Sequence, residues 1–307
     1  MQSQTQHDSR NALVGALMVL AAAVTVSSKA IIVKMAYAYP LDASTLIALR
    51  MAFSAPFFIA MALRVSMSAS APKITGRDAW MIGMLGFIGG YGPMLLDFAG
   101  LSYVTAGVER IILYIYPTVV VVMSALLFKH NIGKRVWFAL AATYAGVAMA
   151  VGHDVLIPHA DSVKTIFGVT LVAASAFLYA AYLVASGRLI PRVGSISFTA
   201  YTMLAVTVTS GAHYITTEHH VAILNLPTEV YLLSFLMAAI ATVLPSILLN
   251  AGIHRIGSSR SSLISSAGPV STILSAYVFL SEGITLLQLA GTAMVLAGVL
   301  VISVVEK

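Results

Sequence analysis

Apolar residues fall in ten long runs between Asn11 and Val305, and polar residues collect in the short gaps between them. The runs cover approximately residues 11–35, 44–65, 79–99, 103–128, 134–152, 165–187, 196–216, 229–251, 259–280 and 285–304. Most are close to the length of about 20 residues that an α-helix needs to cross the hydrocarbon core of a bilayer. No water reaches the backbone there, so a spanning segment must close its own hydrogen bonds, as a helix does. The pattern predicts an all-α integral membrane protein with ten transmembrane helices.

The gaps carry a second pattern. Counted outward from the N-terminus, one side holds Arg10, Arg64, Lys73, Arg77, Lys129, Lys134, Arg135, Arg188, Arg192, Arg255, Arg260 and Lys307, which is 12 basic residues. The other side holds only Lys164, together with Asp42, Asp154, Asp161, Glu218, Glu229 and Glu282. Cytoplasmic loops carry the excess of Lys and Arg, so both termini are expected in the cytoplasm. The N-terminal MQSQTQHDSR is short and polar, and the run behind it is too long for a signal-peptide core; it reads as the first span.

Composition agrees. Hydrophobic residues make up 59% and charged residues 9%, with mean hydropathy +0.94. The net charge of +6 is explained by orientation in the membrane, so no nucleic-acid partner is expected. The absence of cysteine excludes disulfides, thiolate metal sites and cysteine nucleophiles.

The chain also repeats. A shift of 152 residues lays the segment near 93–150 over 245–302 without a gap. Pro93 then falls on Pro245, Gly100 on Gly252, Pro117 on Pro269 and Gly146 on Gly298. Two repeats of five spans follow, 1–152 and 153–307. Five is odd, so the second half enters the membrane from the opposite side. Such inverted repeats are characteristic of secondary transporters, which bind substrate near the midplane between the halves.

AGLSYVTAGVERIILYIYPTVVVVMSALLF (Ala99 to Phe128), AGIHRIGSSRSSLISSAGPVSTILSAYVFLSEGIT (Ala251 to Thr285) and LAGTAMVLAGVLVIS (Leu289 to Ser303) give the chain a family likeness. It resembles the drug/metabolite transporter superfamily, EamA type, over essentially its whole length. The resemblance implies transport of small metabolites, amino acids among them, without ATP hydrolysis. One departure is that Lys129-His130 stands where the family often closes the fourth span with an acid, as Glu282 closes the ninth.

Charges within spans are costly and should face protein or water, usually in pairs. Those here are Lys29, Lys34, Arg50, Asp97, Glu109 and Arg110, with Arg260 near the start of the ninth span. Lys34 and Arg260 lie near span ends, where they can snorkel. Arg110 aligns with Tyr114 and Pro117 on one helix face, and Glu109 with Tyr116 on the next. Arg110 is the candidate for a substrate carboxylate or other anion, and Glu109 for an amine or a proton; the alternative is a structural ion pair to another helix. Ser261 and Ser262 occupy the corresponding places in the second half. Asp97 is a candidate gate or proton-coupling group, or else an interfacial acid near the outer surface, or a partner for Lys34 or Arg50. Lys29 is a candidate anion-binding or titrating group, and Arg50 a bridge between spans. Asp97 and Glu109 are expected at different heights, each alone. Tyr91, Tyr114, Tyr179 and Tyr182 are candidate cavity walls, with packing or an aromatic belt as the alternative. Pro93, Pro117, Pro245 and Pro269 are candidate hinges for gating.

Three functions can be set against one another. A secondary transporter, in particular an inner-membrane exporter of small polar metabolites such as amino acids, follows from the repeat and the resemblance. It would work by alternating access on a small-molecule substrate, with or without protons, as a monomer or homodimer in lipid. A carrier for anionic metabolites such as phosphorylated sugars would need Lys29, Arg50 and Arg110 to converge. A membrane enzyme would need a cluster of reactive groups at one face. Nothing resembles GxxxxGK[ST], so ATP-driven pumping is not expected. The scattered histidines, with His219-His220 in a loop, do not suggest a metal, and no cofactor is expected.

Overall fold

A computed structural model describes residues 2–68, 74–128, 134–156, 162–217, 223–256, 264 and 268–305. Lys129-His130, His219-His220, Arg260, Ser261 and Ser262 lie outside them. The described residues form helices and no strands. Ten rods follow one another: α1 (Gln2–Ala36), α2 (Ala43–Ser66), α3 (Gly76–Leu101), α4 (Ala106–Leu113 and Tyr116–Phe128) and α5 (Lys134–Leu156) in the first half. The second half holds α6 (Ser162–Val193), α7 (Ser195–Thr216), α8 (Thr228–Ala238, Ala239–Val243 and Leu244–Ile256), α9 (Gly268–Leu280) and α10 (Leu286–Val305).

The rods match the ten predicted spans. Six of them, α1, α2, α3, α4, α6 and α8, contain helices long and apolar enough to cross a bilayer by length and composition alone. Shorter apolar helices lie within α5, α9 and α10. The remaining rod, α7, carries Ser or Thr at 8 of its 22 positions, which lowers its hydropathy. Three of those hydroxyls are met within the helix itself. Thr207, Ser210 and Thr216 donate to the α7 carbonyls of Met203, Thr207 and Ala212.

The packing has the symmetry of the repeat. α3 lies against α6 as α8 lies against α1, and α4 lies against α6 as α9 lies against α1. α2 pairs with α7, α4 with α9 and α5 with α10, each rod meeting its own counterpart. The close contacts repeat as well. A Cβ on Gly100 would come within 2.5 Å of Val172 Cγ2 and 3.0 Å of the Gly168 carbonyl. A Cβ on Gly252, its counterpart, would come within 2.4 Å of Val19 Cγ2 and 3.0 Å of the Gly15 carbonyl. Without a side chain the backbones approach closely, which is how helices gain packing energy in lipid.

The α-helical winding of both third members of the repeats is interrupted at equivalent places. Leu85–Tyr91 in α3 and Ala239–Val243 in α8 are π-helical, and each ends within two residues of a proline, Pro93 and Pro245. Proline lacks the N–H that closes the preceding turn, and a wider turn redistributes the freed carbonyls. In α4 the break is a turn at Tyr114–Ile115, just before Pro117. Pro269 stands at the start of α9. All four prolines therefore sit at breaks or ends of regular α-helix.

Candidate functional site

The short first segment of α4, Ala106–Leu113, organises the candidate site. Thr105 caps it, its hydroxyl accepting from Val108 N at 3.2 Å. A second cap arrives from the other half of the molecule. Glu282, in the irregular stretch after α9, accepts from Ala106 N through both carboxylate oxygens at 3.1 Å each, and from Gly107 N at 3.5 Å. A carboxylate at a helix N-terminus meets unpaired amides and the positive end of the dipole. Ser281 reaches a left-handed φ of 55° to deliver it.

One turn further on, Glu109 is fully buried. Its Oε1 lies 2.9 Å from Lys29 Nζ, and the same ammonium lies 2.5 Å from Asp97 Oδ2. This corrects the expectation that the two acids stand alone at different heights. α1, α3 and α4 bring both carboxylates to one lysine, 14% exposed, because neither acid nor base can be left unpaired in an apolar bundle. Asp97 is thus partnered by Lys29 and not by Lys34 or Arg50. The second oxygens, Asp97 Oδ1 and Glu109 Oε2, are buried and have no hydrogen-bond partner among the described residues.

Arg110 points elsewhere, as its neighbouring helix position requires. Its guanidinium lies over the Tyr114 ring, 5.3 Å from the centroid, and its buried Nε has no hydrogen-bond partner among the described residues. Gly268 lies directly against this pair. A Cβ there would come within 2.7 Å of both Arg110 Nη2 and Tyr114 Oη. The Gly268 carbonyl in turn accepts from Ser27 Oγ at 2.9 Å, two residues from Lys29.

An aromatic row continues from Arg110. Tyr114 and Tyr116 are edge-to-face at 6.3 Å, Tyr116 and Tyr179 at 5.2 Å, and Tyr179 stacks on Tyr182 at 6.0 Å with ring planes 22° apart. Tyr182 then meets Phe198 at 6.0 Å. Tyr179 sits at the middle of α6 and stays 39% exposed although rings flank it on two sides. The row presents π-faces and hydroxyls from two helices of opposite halves.

Tyr91 and Arg50 both serve helix packing. Tyr91 is nearly buried, and its hydroxyl is 2.5 Å from His213 Nδ1 of α7, with the rings edge-to-face. It belongs to the α3–α7 contact and does not join the tyrosine row. Arg50 donates to Thr242 Oγ1 at 2.9 Å and lies over the Phe98 ring at 5.6 Å, bridging α2, α8 and α3. Two carboxylates occupy Lys29, and the π-helical turn of α8 occupies Arg50. Gly268 and His213 take places that the sequence did not assign, as does Glu282 in capping α4; for Gly268 the signal was the Gly-Pro dipeptide opening a helix.

The arrangement can bind and orient. Spare carboxylate oxygens can take an ammonium or hydroxyl, a guanidinium can take a carboxylate, and flat rings can cover an apolar body. Among the described residues, no group of three metal-ligating side chains occurs.

Fold and site define a polytopic helical membrane protein of two inverted halves, with ionic groups from three helices of the first half paired in its interior. The EamA-like transporter family model matches the chain twice, over residues 13–152 and 166–304. The chain belongs to that family, within the drug/metabolite transporter superfamily. It is 31% identical to the uncharacterized transporter YcbK of Bacillus subtilis, over 95% of this chain and 93% of that protein. It is 25% identical to the uncharacterized inner membrane transporter YicL of Salmonella typhimurium, over 74% of each. A solved crystal structure of 20% sequence identity has the same fold, with a TM-score of 0.64 over 95% of this chain and 97% of the other. The chain is a membrane transporter of the family to which these matches assign it.

Proposed function

We propose that this transporter exports small zwitterionic metabolites, amino acids above all, across the inner membrane by alternating access, with both termini in the cytoplasm. The observation that carries the reading is the pairing of opposite capacities on one turn of α4. Glu109, with Asp97, offers unpartnered carboxylate oxygens, and Arg110 offers an unpartnered guanidinium nitrogen. A zwitterion complements both, and leaving the site empty keeps buried polar atoms unsatisfied. An anionic substrate is less well supported, since Lys29 is already paired with two carboxylates and Arg50 donates to Thr242.

The breaks in α3, α4 and α8 supply the bending points, and the symmetric packing supplies two equivalent arrangements related by exchange of the halves. The positive-inside bias supports the orientation. The relative named an inner membrane transporter supports the location.

A thermal-shift panel in detergent tests the reading. It compares amino acids, their decarboxylated amines, their des-amino acids and sugar phosphates. Stabilisation by one or more intact amino acids, weaker for both truncated series, is expected. Stabilisation by sugar phosphates alone would replace zwitterion with anion. Labelling of a terminal tag only from the periplasmic face would overturn the orientation.

A further inference from the structure

The Lys29 ammonium sits where a transported cation would be expected to sit. Asp97 Oδ2 at 2.5 Å and Glu109 Oε1 at 2.9 Å both hold it. Two carboxylates within reach of one nitrogen repel each other strongly in an apolar medium unless a positive charge lies between them. Among the described residues Lys29 is the cation in ion-pair contact with them. Arg50 is held by Thr242 and Phe98, and Arg110 lies over Tyr114. Yet the pair is not saturated, since each acid keeps one buried oxygen without a partner.

A carrier that moves substrate in one net direction must bring its empty site back across the membrane. Bare carboxylates oppose that return, because the closed intermediate removes water from them. Carriers meet this difficulty with a co-transported proton or metal ion, or they exchange one substrate for another. A third solution is a cation attached to the chain.

We propose that Lys29 is such a tethered counter-cation: in the substrate-free carrier its ammonium screens Asp97 and Glu109, taking the place of a co-transported cation, so that the empty site can change sides. The inference rests on the alternating-access reading above and adds the charge logic of the return step. It makes net transport independent of a coupling ion. The spare oxygens Asp97 Oδ1 and Glu109 Oε2 receive the substrate ammonium while Lys29 stays in contact.

The chain has no cysteine, so one introduced thiol reports cleanly. Tyr179→Cys places it at the middle of α6, and a membrane-impermeant methanethiosulfonate reagent, applied to either face of proteoliposomes without substrate, reads whether the empty site visits both sides. Labelling from both faces is expected with Lys29 present. Lys29→Gln in this background should slow labelling from one face by roughly a hundredfold, the order expected when a buried ion pair loses one partner. Adding Glu109→Gln, which leaves a single carboxylate, should restore most of the lost rate. Lys29→Gln labelled from both faces at the parent rate overturns the proposal, even if its melting temperature falls, for that is the behaviour of a merely structural ion pair. One-sided labelling of the parent also overturns it, as does failure of the second substitution to restore the rate. If Lys29→Gln does not fold, Asp97→Asn with Glu109→Gln leaves the ammonium unpaired and should stall the site in the same way; unchanged two-sided labelling then overturns the proposal. No substrate enters this experiment, so its failure is distinct from failure of the amino-acid reading, which the ligand panel decides.

Discussion

Glu282 closes both carboxylate oxygens on the backbone amide of Ala106, 176 residues away in the chain, and so fastens the loop after α9 to the start of α4. This is a bond between the two halves, made at the end of the short helix that carries Glu109 and Arg110. The site and the junction of the repeats are therefore mechanically one unit.

Removing that cap should loosen the unit. Glu282→Ala leaves the first amides of α4 unpaired and should cost about 1–2 kcal/mol, the range of a helix N-cap with its charge–dipole contribution. Glu282→Gln keeps an acceptor oxygen and should cost less. Thermal melting of the purified variants in one detergent checks the order; equal melting of Glu282→Ala and the parent would remove Glu282 from the account.

The paired glycines make a symmetric prediction. Gly100→Val and Gly252→Val each force a side chain into a contact that begins at about 2.5 Å for the Cβ alone. Each should destabilise by about 1–3 kcal/mol or more, the range for overpacking. Because the two contacts are repeats of each other, the two losses should be similar. A large loss at one site and none at the other, read by melting temperature, would contradict the repeat packing.

Tyr91 separates structure from binding. Tyr91→Phe removes the hydrogen bond to His213 but keeps the edge-to-face ring contact. A loss of about 1 kcal/mol in stability is expected, with little change in the transport KM. A large rise in KM with unchanged stability would return Tyr91 to the substrate site.

Gly268 tests the seat of Arg110. A methyl group there collides with Arg110 Nη2 and Tyr114 Oη, both at the far ends of movable side chains. Gly268→Ala should fold normally and displace the guanidinium by a fraction of an ångström to an ångström, raising KM for carboxylate-bearing substrates by about tenfold or more. Amines lacking the carboxylate should be affected less. Comparison of the two uptake curves reads the difference.

Much of the architecture was legible in the residues. Ten apolar runs gave ten rods because a backbone in lipid has few other ways to satisfy itself. The 152-residue shift that aligned Pro93 with Pro245 and Gly100 with Gly252 also aligned two π-helical turns and two close helix crossings. The partners were not legible. Lys29, Asp97 and Glu109 lie on three separate rods, and hydrophobic periodicity is weak in helices that are apolar on nearly every face, so it does not say how each rod is turned about its axis. The same limit hid Tyr91–His213 and the contact of Arg50 with Thr242. Glu282 was visible as a family feature, but its target, a backbone amide, has no residue type to betray it.

The most direct test is counterflow in proteoliposomes loaded with unlabelled amino acids and given trace radiolabelled ones outside. The parent should accumulate label transiently and saturably for at least one amino acid, with no covalent product, and folded Glu109→Gln and Arg110→Gln variants should lose that accumulation. Absence of counterflow across the amino-acid panel, or accumulation undiminished in both variants, would contradict a carrier that holds its substrate between Glu109 and Arg110.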